Sequence, residues 1–166
     1  MSTPVVVVRG RHDAAAVERI LRALPDWFGM EEPLLEYVRH SVTHPTYLAC
    51  APEAVEPGAG TDPSSGDVVG VLVTARHFPV AAEVHLIAVA PPWHGRGVGR
   101  SLLAAAEGDL RADGVRLLQV KTLGPSDPDP FYARTRAFYA SNGFEPLEEN
   151  LDLWPGSPCL IMVKAL

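Results

Sequence analysis

The chain has 166 residues, 47 % of them hydrophobic and 20 % charged, with a formal net charge of −6. That length suits one domain, residues 1–166, with a substantial core, and no apolar run approaches the roughly 18 residues of a membrane span. No lysine- or arginine-rich block marks a nucleic-acid footprint, and Cys50 and Cys159 lie outside any C-x-x-C pair. Val5 to Val8 is too short for a signal-peptide core. The expectation is a cytoplasmic protein with no nucleic-acid or membrane partner and no disulfide framework.

Pro4 to Arg9 is continuous and β-branched, which predicts a buried strand. Asp13 is placed to cap a helix from Ala14 to Leu24, with Val17, Ile20, Leu21 and Leu24 on one face, and Leu24-Pro25-Asp26 stops it. Pro33 opens a second short helix through about His40, and Thr46 to Cys50 reads as a short strand. Ala51 to Asp67 is rich in Pro, Gly and Ser and predicts a mobile loop. Val68 to Ala75 and Val80 to Ala90 are strands, with Arg76-His77-Phe78-Pro79 as their connection. Gly97 to Asp113 is a third helix, lined by Val98, Leu102, Leu103, Ala106 and Leu110 and ended by Gly114. Val115 to Thr122 is a fifth strand. Asp129-Pro130 caps and opens a fourth helix that ends near Asn142-Gly143. Phe144 to Leu147 and Cys159 to Lys164 close the chain as strands. Composition and order alone imply α/β or α+β, without internal repeats.

The junction after the fourth strand carries the chemistry. His94-Gly95-Arg96-Gly97-Val98-Gly99-Arg100 joins a strand to a helix start. Glycines there let backbone N–H groups turn inward, and the helix adds unpaired donors and the positive end of its dipole. A Walker loop ends in Gly-Lys-Ser/Thr, but here Gly99-Arg100-Ser101 has no lysine. A dinucleotide fingerprint, G-x-G-x-x-G, would need glycine at Leu102 or Arg100. A nucleotide-binding protein of either type is therefore disfavoured.

The run from His94 to Gly99 resembles the acyl-CoA loop of the GNAT N-acetyltransferases, Arg/Gln-x-x-Gly-x-Gly/Ala, with His94 in the Arg/Gln place. Glu83-Val84-His85-Leu86-Ile87-Ala88-Val89-Ala90-Pro91 resembles the family's fourth strand and its exit. Arg136 to Phe144, with Phe138-Tyr139-Ala140-Ser141-Asn142-Gly143-Phe144, resembles its last block, Phe-Tyr-x-x-x-Gly-Phe. The resemblance implies an α+β (mixed α/β) fold. Its sheet would be mostly antiparallel, splayed between the fourth and fifth strands and flanked by four helices. It also implies an acetyl-CoA-dependent N-acetyltransferase acting on a primary amine by direct transfer, with no metal. The alternative is a GNAT-fold module that binds acyl-CoA and does not transfer.

Roles follow from the same resemblance. Backbone N–H groups of Arg96, Gly97, Val98, Gly99 and Arg100, in the loop that begins with His94 and Gly95, would hold the pyrophosphate. The main chain at Ile87 and Val89 would pair with the pantetheine arm. Glu83 falls where histone-type members carry their catalytic glutamate, and His85 shares its strand face, so either can act as the base. Tyr139 would protonate the leaving thiolate, since a phenol with a pKa near ~10 is a donor at neutral pH. Tyr132 stands where many members carry an asparagine, seven residues before that tyrosine. Trp27, Phe28 and Met30, together with Trp154, lie where the family builds its acceptor pocket, and they fit plain core equally well. His40 and His44 have zincin-like spacing, but Ser41 replaces the glutamate and Pro45 breaks the helix. Whether the acceptor is a small molecule or a protein stays open, as does a homodimer.

Overall fold

The structure, a computed structural model, describes residues 5–52 and 66–166. Of the expected mobile stretch 51–67, residues 53–65 lie outside the described residues, as does Pro4 of the first predicted strand. The elements are β1 (Val6–Arg9), α1 (Ala14–Arg22), α2 (Glu31–Thr43), β2 (Thr46–Cys50), β3 (Val68–Phe78), β4 (Ala81–Val89) and a 3₁₀ turn (Pro91–Trp93). They continue with α3 (Val98–Ala112), β5 (Leu117–Leu123), α4 (Pro130–Ser141), β6 (Glu145–Trp154) and β7 (Ser157–Ala165). The strands form one sheet in the order β1-β2-β3-β4-β5-β7-β6. β4 and β5 run parallel, and the β1–β2, β2–β3, β5–β7 and β6–β7 pairs are antiparallel. This is the mixed, mostly antiparallel sheet with four helices that the resemblance implied. The β4–β5 ladder joins Ala81–Val84 to Leu117–Val120 and ends there, although β4 runs on to Val89 and β5 to Leu123. Among the described residues no helix is long and apolar enough to cross a membrane.

The described residues pack as two compact units, one drawn from Met1–Thr74 with Leu86–Asp109, the other from Ala75–His85 with Leu110–Leu166. In the first, Val17, Ile20, Leu21 and Leu24 of the α1 region meet Leu34, Leu48, Val71, Val73, Leu86 and Ala88 in a continuous core. Asp13 caps α1 as expected, accepting from Ala16 N at 3.0 Å. α2 starts two residues before Pro33. A proline is tolerated there because N–H groups of the first turn have no intrahelical acceptor. The helix also outlasts His40 and stops only where Pro45 approaches, with His44 N bonded to His40 O at 2.9 Å. Gly70 of β3 lets α3 lie close, since a Cβ there would stand 3.0 Å from Val98 and 3.1 Å from Leu102.

In the second unit β5 pairs with β7 along its whole length, from Leu117↔Ala165 to Leu123↔Cys159. Asp129 caps α4, accepting from the N–H groups of Phe131 and Tyr132 at 2.8 and 3.1 Å. Two boundaries here differ from expectation by three residues or more. β6 extends to Trp154 rather than Leu147 and folds back onto β7 through Pro155-Gly156, with Gly156 at φ 73°. Its leucines at 147, 151 and 153 are exposed, so backbone pairing holds this strand in place and burial does not. β3 runs to Phe78, which makes Pro79-Val80 a two-residue turn and puts His77 on a strand rather than in a connection.

Candidate active site

The first unit carries the loop. Ala90 N bonds Val69 O at 2.8 Å and closes the β4 exit; the 3₁₀ turn follows. Gly95 and Gly97 adopt φ 72° and 80°, and a Cβ at either would meet nothing within 4 Å. Glycine is required at both for conformation, not for space, because an L side chain disfavours that region. Gly99 is not among the positive-φ residues and lies in the first turn of α3. The first intrahelical bond runs from Ser101 N to Gly97 O at 3.0 Å, so the N–H groups before Ser101 have no intrahelical acceptor. No acidic residue stands in that turn, and Arg96 and Arg100 are exposed beside it. Open glycines, unpaired helix donors and two cations fit a pyrophosphate.

His94 takes on a main-chain partner. Its Nε2 donates to Val89 O at 2.7 Å, and its ring meets Trp27 edge to face at 6.2 Å. The imidazole thereby ties the loop to the β4 exit. Trp27 and Phe28 pack against the first unit's core while staying half-buried, with Phe28 edge-on to Tyr37 at 5.8 Å. Along β4 the side chains of Ile87 and Val89 are half-buried, alternating with buried Leu86 and Ala88.

The second unit holds the titratable groups. Glu83 is buried, and one oxygen, Oε2, accepts from His77 Nε2 at 2.6 Å, Gln119 Nε2 at 3.0 Å and Lys121 Nζ at 3.1 Å. Burial pushes its carboxyl up. The bonds from His77, Gln119 and Lys121, with the Lys121 charge, outweigh that and hold it below the usual carboxylate range. None of these three partners is marked in the sequence, which points to His85 alone; His85 is half-buried two residues along β4. Gln119 and Lys121 alternate on β5, and the parallel ladder sets Gln119 opposite Glu83. Cys159 is buried on β7, and burial pushes its thiol up while Lys121 draws it down. Burial does the same to Cys50 in the first unit, against Arg11. Both are therefore poor nucleophiles.

Tyr139 is buried in the last turn of α4, with ring centroids of Phe138 and Phe144 each 5.5 Å away. Phe144 N bonds Tyr139 O at 3.1 Å, and Gly143 at φ 88° makes the return. Tyr132 is half-buried on the same helix, and Arg136 donates to Leu123 O at 2.8 Å. Thr122 of β5, past the end of the β4 ladder, holds a buried hydroxyl without a hydrogen-bond partner. Trp154 is half-buried at the end of β6. His44 lies beyond α2 with its ring 4.7 Å from that of His40, and among the described residues no three potential metal ligands gather.

The sequence profile of the acetyltransferase (GNAT) domain matches residues 56–146, more than half of the chain. No curated protein matches the sequence. Among solved structures, the chain is similar to a GNAT-family protein from Desulfovibrio desulfuricans at 24% identity, covering 98% of this chain and 99% of that one, with a TM-score of 0.75. It is similar to an IAA acetyltransferase from Bacillus cereus at 23% identity, covering 98% and 100%, with a TM-score of 0.69. A GNAT family acetyltransferase from Elizabethkingia anophelis, with acetyl-CoA bound, is similar at 16% identity, covering 98% of each chain, with a TM-score of 0.67. At such identities the likeness is one of fold.

Proposed function

Because the chain belongs to the GNAT acetyltransferase domain family, we propose that it moves an acetyl group from acetyl-CoA directly to a primary amine. The observation that carries this reading is the start of α3: two glycines at positive φ, no acidic residue in the first turn, and exposed Arg96 and Arg100. The backbone from Gly95 to Arg100 holds the pyrophosphate, and His94 fixes the loop by its bond to Val89 O. The β4 main chain at Ile87 and Val89 receives the pantetheine arm, with a Val89 N–H polarising the thioester carbonyl. Acetyl-CoA, when bound, supplies the activated acyl group.

The remaining steps belong to side chains. An ammonium must lose a proton before it attacks, and Glu83 takes it directly or through a water; His85 is the other candidate on that face. The Tyr139 hydroxyl gives a proton to the departing thiolate. Trp27, Phe28 and Trp154 contribute apolar surface for the acceptor. The second reading, a module that binds acyl-CoA without transfer, draws support from the three donors already on Glu83 Oε2. Calorimetry with acetyl-CoA and a CoA-release assay over a panel of amines tests both. The transferase reading expects binding that weakens in Gly97→Val and Gly99→Val, and turnover with at least one amine. Binding without turnover across polyamines, amino acids, aminoglycosides and peptide N-termini supports the module. Wild-type affinity in folded forms of both glycine variants removes the loop from the site.

A further inference from the structure

Three donors meet on one oxygen of Glu83, and they differ in kind. Gln119 is a neutral amide, and Lys121 brings a positive charge. An imidazole is the one group of the three whose charge changes between about pH 5 and 8. The His77 side chain is 44 % exposed and that of Glu83 9 %, so solvent protons reach the buried carboxylate's environment through His77. We propose that His77 is a positioning residue for the transfer reaction, its charge deciding whether the Glu83 carboxylate is available to the acceptor ammonium. This rests on the transferase reading with Glu83 as the base.

The argument is electrostatic. With His77 neutral, its Nε2–H is a dipolar donor at 2.6 Å and Lys121 at 3.1 Å is the single cation on Oε2. With His77 protonated, two cations clamp the same oxygen. Each added positive charge within ~4 Å favours the carboxylate over the acid and so weakens it as a proton acceptor. The other groups around it do not duplicate this. Arg76, the neighbour on β3, is committed to Phe78 O, Pro79 O and Asp113 O. From β7 the facing group is the buried Cys159 thiol, and from β4 itself His85. Transfer therefore falls when His77 takes up a proton, beyond the loss that protonation of the amine alone gives.

The test is kcat against pH at saturating acetyl-CoA and amine, for wild type, His77→Gln and His77→Arg. Glutamine keeps a neutral donor that takes up no proton, so the ratio of rates at pH 8 and pH 6 should shrink severalfold. Arginine makes the charge permanent, so kcat should fall about tenfold at pH 8 while KM for acetyl-CoA holds. A readout independent of turnover is the ¹³C titration of the Glu83 carboxyl, assigned by Glu83→Gln. Its midpoint should move up in His77→Phe, which removes the donor. An acidic limb unchanged in His77→Gln, or a Glu83 midpoint unmoved in His77→Phe, overturns the proposal while leaving the transferase reading intact. A wild type that acetylates no amine ends the transferase reading, and this inference with it, whatever the carboxyl titration gives.

Discussion

The turn at Gly95–Gly97 and the cluster around Glu83 ask opposite things of the chain. The turn presents main-chain N–H groups, and its sequence requirement is that two residues tolerate positive φ. The cluster is made of side chains from β3, β4 and β5, and its backbone is ordinary strand. The loop's field comes from fixed peptide dipoles and does not titrate. The carboxylate's field changes with every proton on its neighbours. A donor substrate of constant charge suits the first design. An acceptor that must lose a proton suits the second.

The largest expected effect separates the two regions outright. Glu83→Gln and Tyr139→Phe should each lower kcat by about 10²- to 10⁴-fold, the range of a lost general acid or base, with acetyl-CoA affinity unchanged. Single-turnover rates beside calorimetry check this; a Phe variant with unimpaired transfer would leave Tyr139 as a packing residue between Phe138 and Phe144. Next come the glycines. Gly95→Ala and Gly97→Ala should each cost about 1–2 kcal/mol through left-handed backbone, read as weaker acetyl-CoA binding or a lower Tm. Gly99→Ala carries no such strain, so any loss of affinity there must be contact with the ligand itself. Equal melting losses in all three would refute the distinction.

A smaller effect tests the helices that position each region. Asp13→Ala and Asp129→Ala should each cost about 1 kcal/mol of stability in thermal melts. Only Asp129→Ala, which loosens the helix bearing Tyr139, should also slow transfer. The smallest effect lies in the pH dependence of stability. The carboxyl of Glu83 is held below its unfolded value by its three donors. Its contribution is therefore present above about pH 4.3 and lost as pH falls through the lower folded value. Denaturant titrations at pH 3 to 7 should show a shallower slope in Glu83→Gln than in wild type.

What could be read from the sequence follows the same division. The loop was legible because its signal is local: glycines two apart between an apolar strand and a helix face. So were the caps at Asp13 and Asp129, each within three residues of the N–H it binds. The partners of Glu83 were not legible. Gln119 and Lys121 reach it across a parallel ladder whose register no spacing encodes, and Phe78-Pro79 after His77 reads as a break when it is a strand end and a tight turn. The extent of β6 was hidden too, because Leu147, Leu151 and Leu153 are not buried and the strand owes its order to β7.

Among the described residues β6 is a terminal strand of the sheet, and exposed leucines along such a border invite another strand to add on. Glu145, Glu148, Glu149 and Asp152, with Pro146 and two breaks of register, stand in the way of that addition. Carboxylates guard only while ionised. Once protonated they are neutral, and the border then carries exposed leucines with no repulsion to defend it. Colloidal stability should therefore fail at acidic pH by edge-to-edge growth of ordered aggregates before the fold itself is lost. The acids on this strand govern how concentrated the protein can be kept, a property no step of catalysis uses.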